Sequence, residues 1–235
     1  LSQQKILILD YSVSRIEAPA IERWLPVDAI VSSLFIDTEE SFPDDLMDRD
    51  FTHVIHSGSE LSITETSPFT EKAVAYMQNL RDRGVSQFGI CYGHQLVCLA
   101  LAGKDAVRSS PNGLEAGWRN VTFNNHAMKI LGVGESEVVW QYHYDEVIEY
   151  PAGSELLATG AHTKIQAYIN HDQRLLGTQF HPEFDQETGN SLYLEDREVL
   201  ERRGYNVDEI VTRGPSIDAG KIFFDFFLQA AQLRV

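Results

Sequence analysis

The run Gly89-Ile90-Cys91-Tyr92-Gly93-His94-Gln95 constrains this chain more than any other segment. Apolar Val85, Phe88 and Ile90 precede or enter it, and a helix-like stretch over 96–102 follows at once. Strand, tight turn and helix in that order put Cys91 at an elbow. The flanking glycines permit a strained backbone and leave room for a ligand to approach. A helix N-terminus offers partial positive charge and free N–H groups, so the position is expected to lower the Cys91 pKa and favour the nucleophilic thiolate. Taken alone, a cysteine after a strand fits a small buried hydrophobe equally well.

A second segment, Leu176-Gly177-Thr178-Gln179-Phe180-His181-Pro182-Glu183, shifts that balance. Residues 175–180 read as a strand ending at His181. A residue before proline is held to extended backbone, and in extended backbone residues two apart point the same way. His181 and Glu183 are therefore expected to lie together, with the carboxylate orienting the imidazole. That supplies a general base and its orienter for a cysteine nucleophile. The chain order Cys, His, Glu excludes the α/β-hydrolase order of nucleophile, acid and His.

Together, Gly-Ile-Cys-Tyr-Gly-His-Gln and Phe-His-Pro-Glu resemble the two signatures of the class I (triad, G-type) glutamine amidotransferase family. Two further segments fit in register. Val54-Ile55-His56-Ser57-Gly58-Ser59-Glu60-Leu61-Ser62-Ile63 resembles the family's strand and oxyanion loop, and Trp140-Gln141-Tyr142-His143-Tyr144-Asp145-Glu146-Val147 resembles its substrate strand. The resemblance covers residues 5–184, about three quarters of the chain. It implies an α/β fold with an open, mostly parallel central sheet and helices on both faces, flavodoxin-like. It also implies roles: Cys91 as nucleophile, His181 as base and acid, Glu183 as orienter. The backbone N–H groups of Tyr92 and of Gly58 or Ser59 would form the oxyanion hole. Gln95, Tyr142, His143 and Tyr144 would hold the glutamyl moiety, with His143 supporting rather than reacting.

The elements agree. Strands are expected over 5–10, 28–35 and 52–56. A helix is expected over 14–25, and another begins after Ser67 as N-cap, with Pro68 in its first turn, and stops at Gly84. This βαβ rhythm implies a parallel sheet. The second half carries shorter strands over 119–123, 138–142, 155–161, 165–170 and 175–180, then a closing helix over 217–233. No linker divides the chain, so one domain is expected over 1–235, with a polar helical insertion at about 185–215. That insertion reads either as a solvated surface element or as a lid or partner-docking element.

A net charge of −16 argues against nucleic acid as a partner and gives no attraction to anionic membranes. The two cysteines, Cys91 and Cys98, suggest no disulfide framework, and Cys98 reads as core. With no signal-peptide pattern and no apolar run of about 18 residues, a cytoplasmic location is expected. His53, His56, His126, His162 and His171 lack metal-ligand spacing, and no metal is assigned. His94, inside the elbow, can line the pocket. No cofactor is assigned either. No Gly-rich phosphate loop appears within these residues, and a separate ATP-dependent synthetase subunit is a candidate partner.

Three functions compete. The first is a glutaminase acting as, or like, the amidotransferase part of a synthetase. The second is a stand-alone γ-glutamyl hydrolase or peptidase. Two departures from the resembled pattern keep it open: Glu60 replaces the loop proline and Tyr144 replaces a glycine. The third, a regulatory protein that keeps the fold, would be expected to lose triad members, and all three are present.

Overall fold

The computed structural model describes residues 3–43 and 45–230. In chain order the elements are β1 (Lys5–Asp10), α1 (Glu17–Glu22), β2 (Ile30–Phe35), β3 (His53–His56), α2 (Thr70–Asp82), β4 (Ser86–Ile90) and α3 (Tyr92–Ala102). Then come β5 (Val107–Ser109), β6 (Glu115–Phe123), α4 (Asn125–Leu131), β7 (Ser136–His143), β8 (Asp145–Val147), β9 (Glu155–Gly160), β10 (Ala167–Asn170) and β11 (Leu175–Thr178). The last four are α5 (Gln186–Glu195), α6 (Arg197–Arg202), α7 (Val207–Val211) and α8 (Ala219–Ala230).

Nine strands form one sheet in the order β2-β1-β3-β4-β11-β10-β9-β6-β7. The first five pair in parallel. The rest continue the sheet by antiparallel pairing. β5 and β8 form a separate antiparallel pair.

Alternation in β1 shows why helices cover both faces. Ile6 and Ile8 pack with Ala18 and Ile21 of α1 and with Phe223, Phe224 and Phe227 of α8. Leu7 and Leu9 point the other way, into a cluster with Met77 and Leu80 of α2 and with Leu96, Val97 and Cys98 of α3. Period-two alternation with both sides apolar is the mark of a strand buried on both faces. A third cluster, Trp118, Trp140, Phe184, Tyr193, Leu200, Val207 and Ile210, seats α5, α6 and α7 on β6 and β7.

Several expected bounds move. The helix expected over 14–25 shrinks to α1, because Arg15 adopts φ +59° and the Asp10 carboxylate receives the Ala18 N–H at 2.8 Å, starting the helix late. Ser67 is not the cap of α2: Phe69 holds that position, and the Ser67 carbonyl instead accepts from Thr70 N–H in a preceding turn. β11 ends at Thr178, short of Phe180. The closing helix is described to Ala230, and residues 231–233 lie outside the described residues. No helix among the described residues is long and apolar enough to cross a membrane.

Candidate functional site

Cys91 stands between β4 and α3 at φ 48°, ψ −104°. For a residue with a Cβ this is strained backbone, costing on the order of 1–3 kcal/mol. The surroundings hold it there. Cys91 N–H donates to the Thr178 carbonyl at 2.8 Å, and Gly93 N–H donates to the Ser57 carbonyl at 2.9 Å. A Cβ on Gly93 would lie 2.1 Å from the His56 carbonyl oxygen, so only glycine lets α3 sit this close to β3. The Cys91 Sγ lies 3.9 Å from the Tyr142 carbonyl oxygen, and Gln179 Nε2 donates to it at 3.7 Å.

His181 lies beyond the end of β11, where its N–H donates to the Trp140 carbonyl at 3.1 Å. Its ring sits edge-on to Trp140 and stacks on Phe184. Nδ1 is 2.5 Å from Glu183 Oε1, so imidazole and carboxyl do meet, although Pro182 and Glu183 lie in a turn rather than in extended chain. The backbone of Glu183 is pinned as well: its carbonyl accepts from Arg23 and from Trp24 Nε1.

A second acid, which the sequence reading does not single out, joins this pair. Glu17, at the start of α1, is only 4% exposed, and its Oε1 is 3.6 Å from His181 Nδ1. The Oε2 atoms of Glu17 and of Glu183 are buried with no partner other than each other's carboxyl. Ligand-capable atoms of Glu17, His181 and Glu183 lie within 4.8 Å of one another, the one such group found among the described residues.

Burial governs the proton affinities here. It pushes the Glu183 carboxyl up to about 8, against hydrogen bonding from Glu17. It pushes His181 down to about 4, against the pull of the Glu17 carboxylate. Glu17 is also raised, by burial first and by Glu183 second. Cys91 corrects the expectation of a lowered thiol. Burial and then the Glu17 and Glu183 charges raise it well above a free cysteine, and the Tyr92 N–H at the helix start only partly offsets them. These shifts favour a protonated Cys91 thiol and a neutral His181 imidazole in the same cleft.

Of the oxyanion candidates Ser59 lines the cleft, whereas Gly58 and Tyr92 do not; the amides of Gly58 and Ser59 have no protein acceptor among the described residues. The loop that carries them is held from two sides. Asp145 accepts from Ser62 Oγ, Ile63 N–H and Ser109 Oγ. Glu60, where the resembled pattern has proline, accepts from Val13 N–H, Ser14 N–H and Ser14 Oγ. Burial raises the Glu60 carboxyl, but these bonds outweigh it and leave it below the usual carboxylate range.

The expected substrate residues divide. Tyr142, His143, Tyr144 and Gln95 all line the cleft. Gln95 is already engaged, because its Nε2 donates to the Asp145 carbonyl and to Gln179 Oε1, which aims Gln179 at the Cys91 sulfur. His143 is held by Glu115 at Nε2 and the Asp145 carbonyl at Nδ1, a supporting arrangement. Tyr144 falls between β7 and β8, is 41% exposed, and carries Arg203 over its ring. His94 does not line the cleft; it is buried against Tyr168 with both ring nitrogens unpartnered.

The insertion is helical, and it is seated rather than merely solvated. Tyr193 stacks on Trp140, accepts from Gly117 N–H and donates to the Gln141 carbonyl. Leu192, Glu195 and Asp196 thereby form one wall of the cleft, whose volume is about 580 Å3.

Gly58 provides a test of this geometry. An added Cβ would lie 2.6 Å from both Glu17 Oε1 and His181 Cε1. Gly58→Ala is expected to keep the fold, by circular dichroism, yet lower any Cys91-dependent turnover by about ten- to a hundredfold, since small misplacements of catalytic groups cost that much. Unchanged turnover would show that His181 tolerates displacement.

A family model described as glutamine amidotransferase class-I matches residues 34–199. A glutamine-hydrolyzing GMP synthase subunit of Saccharolobus solfataricus is 34% identical over 135 residues, 57% of this chain and 69% of that protein. The glutamine-hydrolyzing GMP synthase of Clostridium kluyveri is 33% identical over 119 residues, 51% of this chain and 23% of that protein. A crystal structure of a glutamine amido transferase from Methylobacillus flagellatus aligns with a TM-score of 0.79 at 20% identity, covering 97% of this chain and 96% of that one. One from Thermotoga maritima aligns at 0.76 and 18%, covering 100% and 98%. At such identities the likeness to solved structures is one of fold.

Proposed function

Because the chain belongs to the class I glutamine amidotransferase family, we propose that it cleaves a γ-glutamyl C–N bond, that of glutamine or of a γ-glutamyl conjugate, through a thioester on Cys91. The observation that carries this is the strained elbow cysteine in one cleft with a His181–Glu183 pair bonded at 2.5 Å. Cys91 Sγ attacks the γ-carbonyl as its proton passes to His181. The oxyanion is received by Tyr92 N–H and by Gly58 or Ser59 N–H, each such donor being worth about 3–4 kcal/mol in comparable acyl transfers. His181 returns the proton to the leaving nitrogen. Water, activated by the same imidazole, then releases glutamate and restores the thiol.

The relatives' name, that of a glutamine-hydrolyzing GMP synthase subunit, supports a glutaminase that feeds a separate synthetase. A second reading, a self-sufficient γ-glutamyl hydrolase, is favoured by Tyr144 on the substrate strand and by a cleft that continues along α5. Glutamate release from glutamine and from γ-glutamyl amines and peptides distinguishes them. Turnover of conjugates well above glutamine supports the hydrolase. Glutamine-only activity, or activity that appears only with a co-purifying synthetase, supports the glutaminase. A protein that forms no acyl-enzyme with any of them defeats both.

A further inference from the structure

The charges that act on Cys91 have the wrong sign for a nucleophilic sulfur. Glu17 of α1, Glu183 beyond β11 and Asp145 of β8 all disfavour a thiolate. Burial keeps His181 neutral, and no Lys or Arg lines the cleft. Negative charge that develops on Sγ as its proton leaves must therefore be met by hydrogen-bond donors. The Tyr92 N–H offsets burial and the acids only in part.

A second donor is built into the sheet. Gln179 is fully buried and follows β11, whose last residue, Thr178, accepts the Cys91 N–H. The Gln179 N–H donates to the Gln166 carbonyl at 2.8 Å, which fixes its backbone beside the elbow. Its Nε2 donates to Cys91 Sγ at 3.7 Å. The sense of that amide is dictated by its neighbours. The Asp145 carbonyl can only accept, so the group of Gln95 that faces it at 2.9 Å has to be the NH2. The same NH2 donates to Gln179 Oε1 at 3.1 Å. With its oxygen bound there, Gln179 turns its own NH2 to the sulfur. Gln95 stands one turn into α3, where its N–H donates to the Cys91 carbonyl at 3.0 Å, so relay and nucleophile share one helix start.

A thiol sulfur is a weak acceptor. An ionised acceptor draws a shorter hydrogen bond, roughly twice as strong. The Gln179 bond therefore strengthens as Sγ ionises, and a bond to the charged form favours that form. A neutral amide supplies this without burying a cation.

We propose that Gln179 is a catalytic residue, a side-chain donor that stabilises the Cys91 sulfur while its proton passes to His181, and that Gln95 is a positioning residue that fixes the sense of the Gln179 amide. This rests on the assignment of Cys91 as the nucleophile. It moves Gln95 from holding the glutamyl moiety to holding the donor.

The pH profile of Cys91 alkylation by iodoacetamide, read at that cysteine by peptide mass spectrometry, follows the thiolate without any substrate. Gln179→Met keeps the bulk and removes the donor. Its profile is expected to shift up by about one pH unit, so that the rate on the rising limb falls about tenfold. Gln179→Glu still accepts from Gln95 but sets an acid against the sulfur, and should shift the profile furthest. Gln95→Leu leaves Gln179 free to turn and should shift it less than Gln179→Met. The double variant Q95L/Q179M should match Gln179→Met alone, because the two side chains act as one unit. A merely structural role would lower the melting temperature of the variants and leave the profile in place. An unmoved profile in Gln179→Met, or effects of Gln95 and Gln179 that simply add, would overturn the proposal. If no Gln179 variant folds, the side-chain amide 13C resonance of Gln179 in the parent protein decides: it should titrate together with Cys91, and a resonance that stays still defeats the relay. A shifted profile in a protein that turns over no γ-glutamyl compound keeps the relay and defeats the hydrolytic assignment, whereas turnover with an unmoved profile defeats the relay alone.

Discussion

Cys91→Ala is expected to abolish glutamate release, lowering kcat by about 10^4-fold or more, because members of a nucleophile–base unit act together and losing the nucleophile removes the covalent route altogether. The fold should survive. Cys91 is buried in the cluster that joins β4 to α1 and α8, and Ala removes only the sulfur while keeping the Cβ, so the backbone at φ 48° is no more strained than before. Mass spectrometry after rapid quenching provides the second readout: the parent protein should carry a γ-glutamyl adduct on Cys91 and the variant none. Full turnover by Cys91→Ala would sink the thioester scheme. The same pair of proteins tests the resting protonation state. With burial, Glu17 and Glu183 all raising the thiol, iodoacetamide should modify Cys91 slowly at neutral pH and faster as pH rises, unlike a cysteine activated by a helix N-terminus alone.

The part of this site visible in the sequence is the part encoded locally. Cys91 with its glycines is a strand–turn–helix junction within seven residues, and His181 and Glu183 stand two residues apart, close enough to meet even though Pro182 and Glu183 form a turn rather than extended chain. Glu17 escapes a sequence reading because nothing near it in the chain announces the triad. The available signal is a charged residue beginning a short helix whose other buried residues are Ala18, Ala20 and Ile21, an acid on a face that otherwise faces the core. A helix N-terminus by itself predicts a lowered thiol, but the burial of Cys91 and, after it, the charges of two acids brought in from distant segments reverse it. The substrate strand divides at Tyr144, because Asp145 turns away to bind Ser62, Ile63 and Ser109. Alternation of aromatic and polar residues runs on through 140–145, past the break, and cannot show it. Likewise, the polar composition of 185–215 masks the few residues, Tyr193, Leu200, Val207 and Ile210, that seat it on the sheet.

Glu183→Gln is expected to cost about 10^3–10^4-fold in kcat, the scale of losing the carboxylate that fixes a catalytic imidazole's tautomer and stabilises its protonated form. The accompanying pH profile makes the prediction specific. Burial raises Glu183 to about 8, so below that pH it holds a proton and orients His181 as a neutral acid. Above that pH it is a carboxylate that strengthens the imidazole as a base. Activity is therefore expected to rise with pH through about 8 in the parent protein and to lose that step in Glu183→Gln. Glu17 sets where the step falls. Its hydrogen bond to Glu183 holds the Glu183 carboxyl down against burial. Glu17→Ala removes the donor, so the step should move to higher pH, while Glu17→Gln, which still offers an N–H, should largely restore it. A structural role for Glu17 would lower activity evenly at every pH and leave the step in place. The ordering Gln near parent and Ala alkaline-shifted, with Glu183→Gln flat, follows only if two buried acids act on one imidazole from adjoining sides, and that is how α1 and the His-Pro-Glu segment present them.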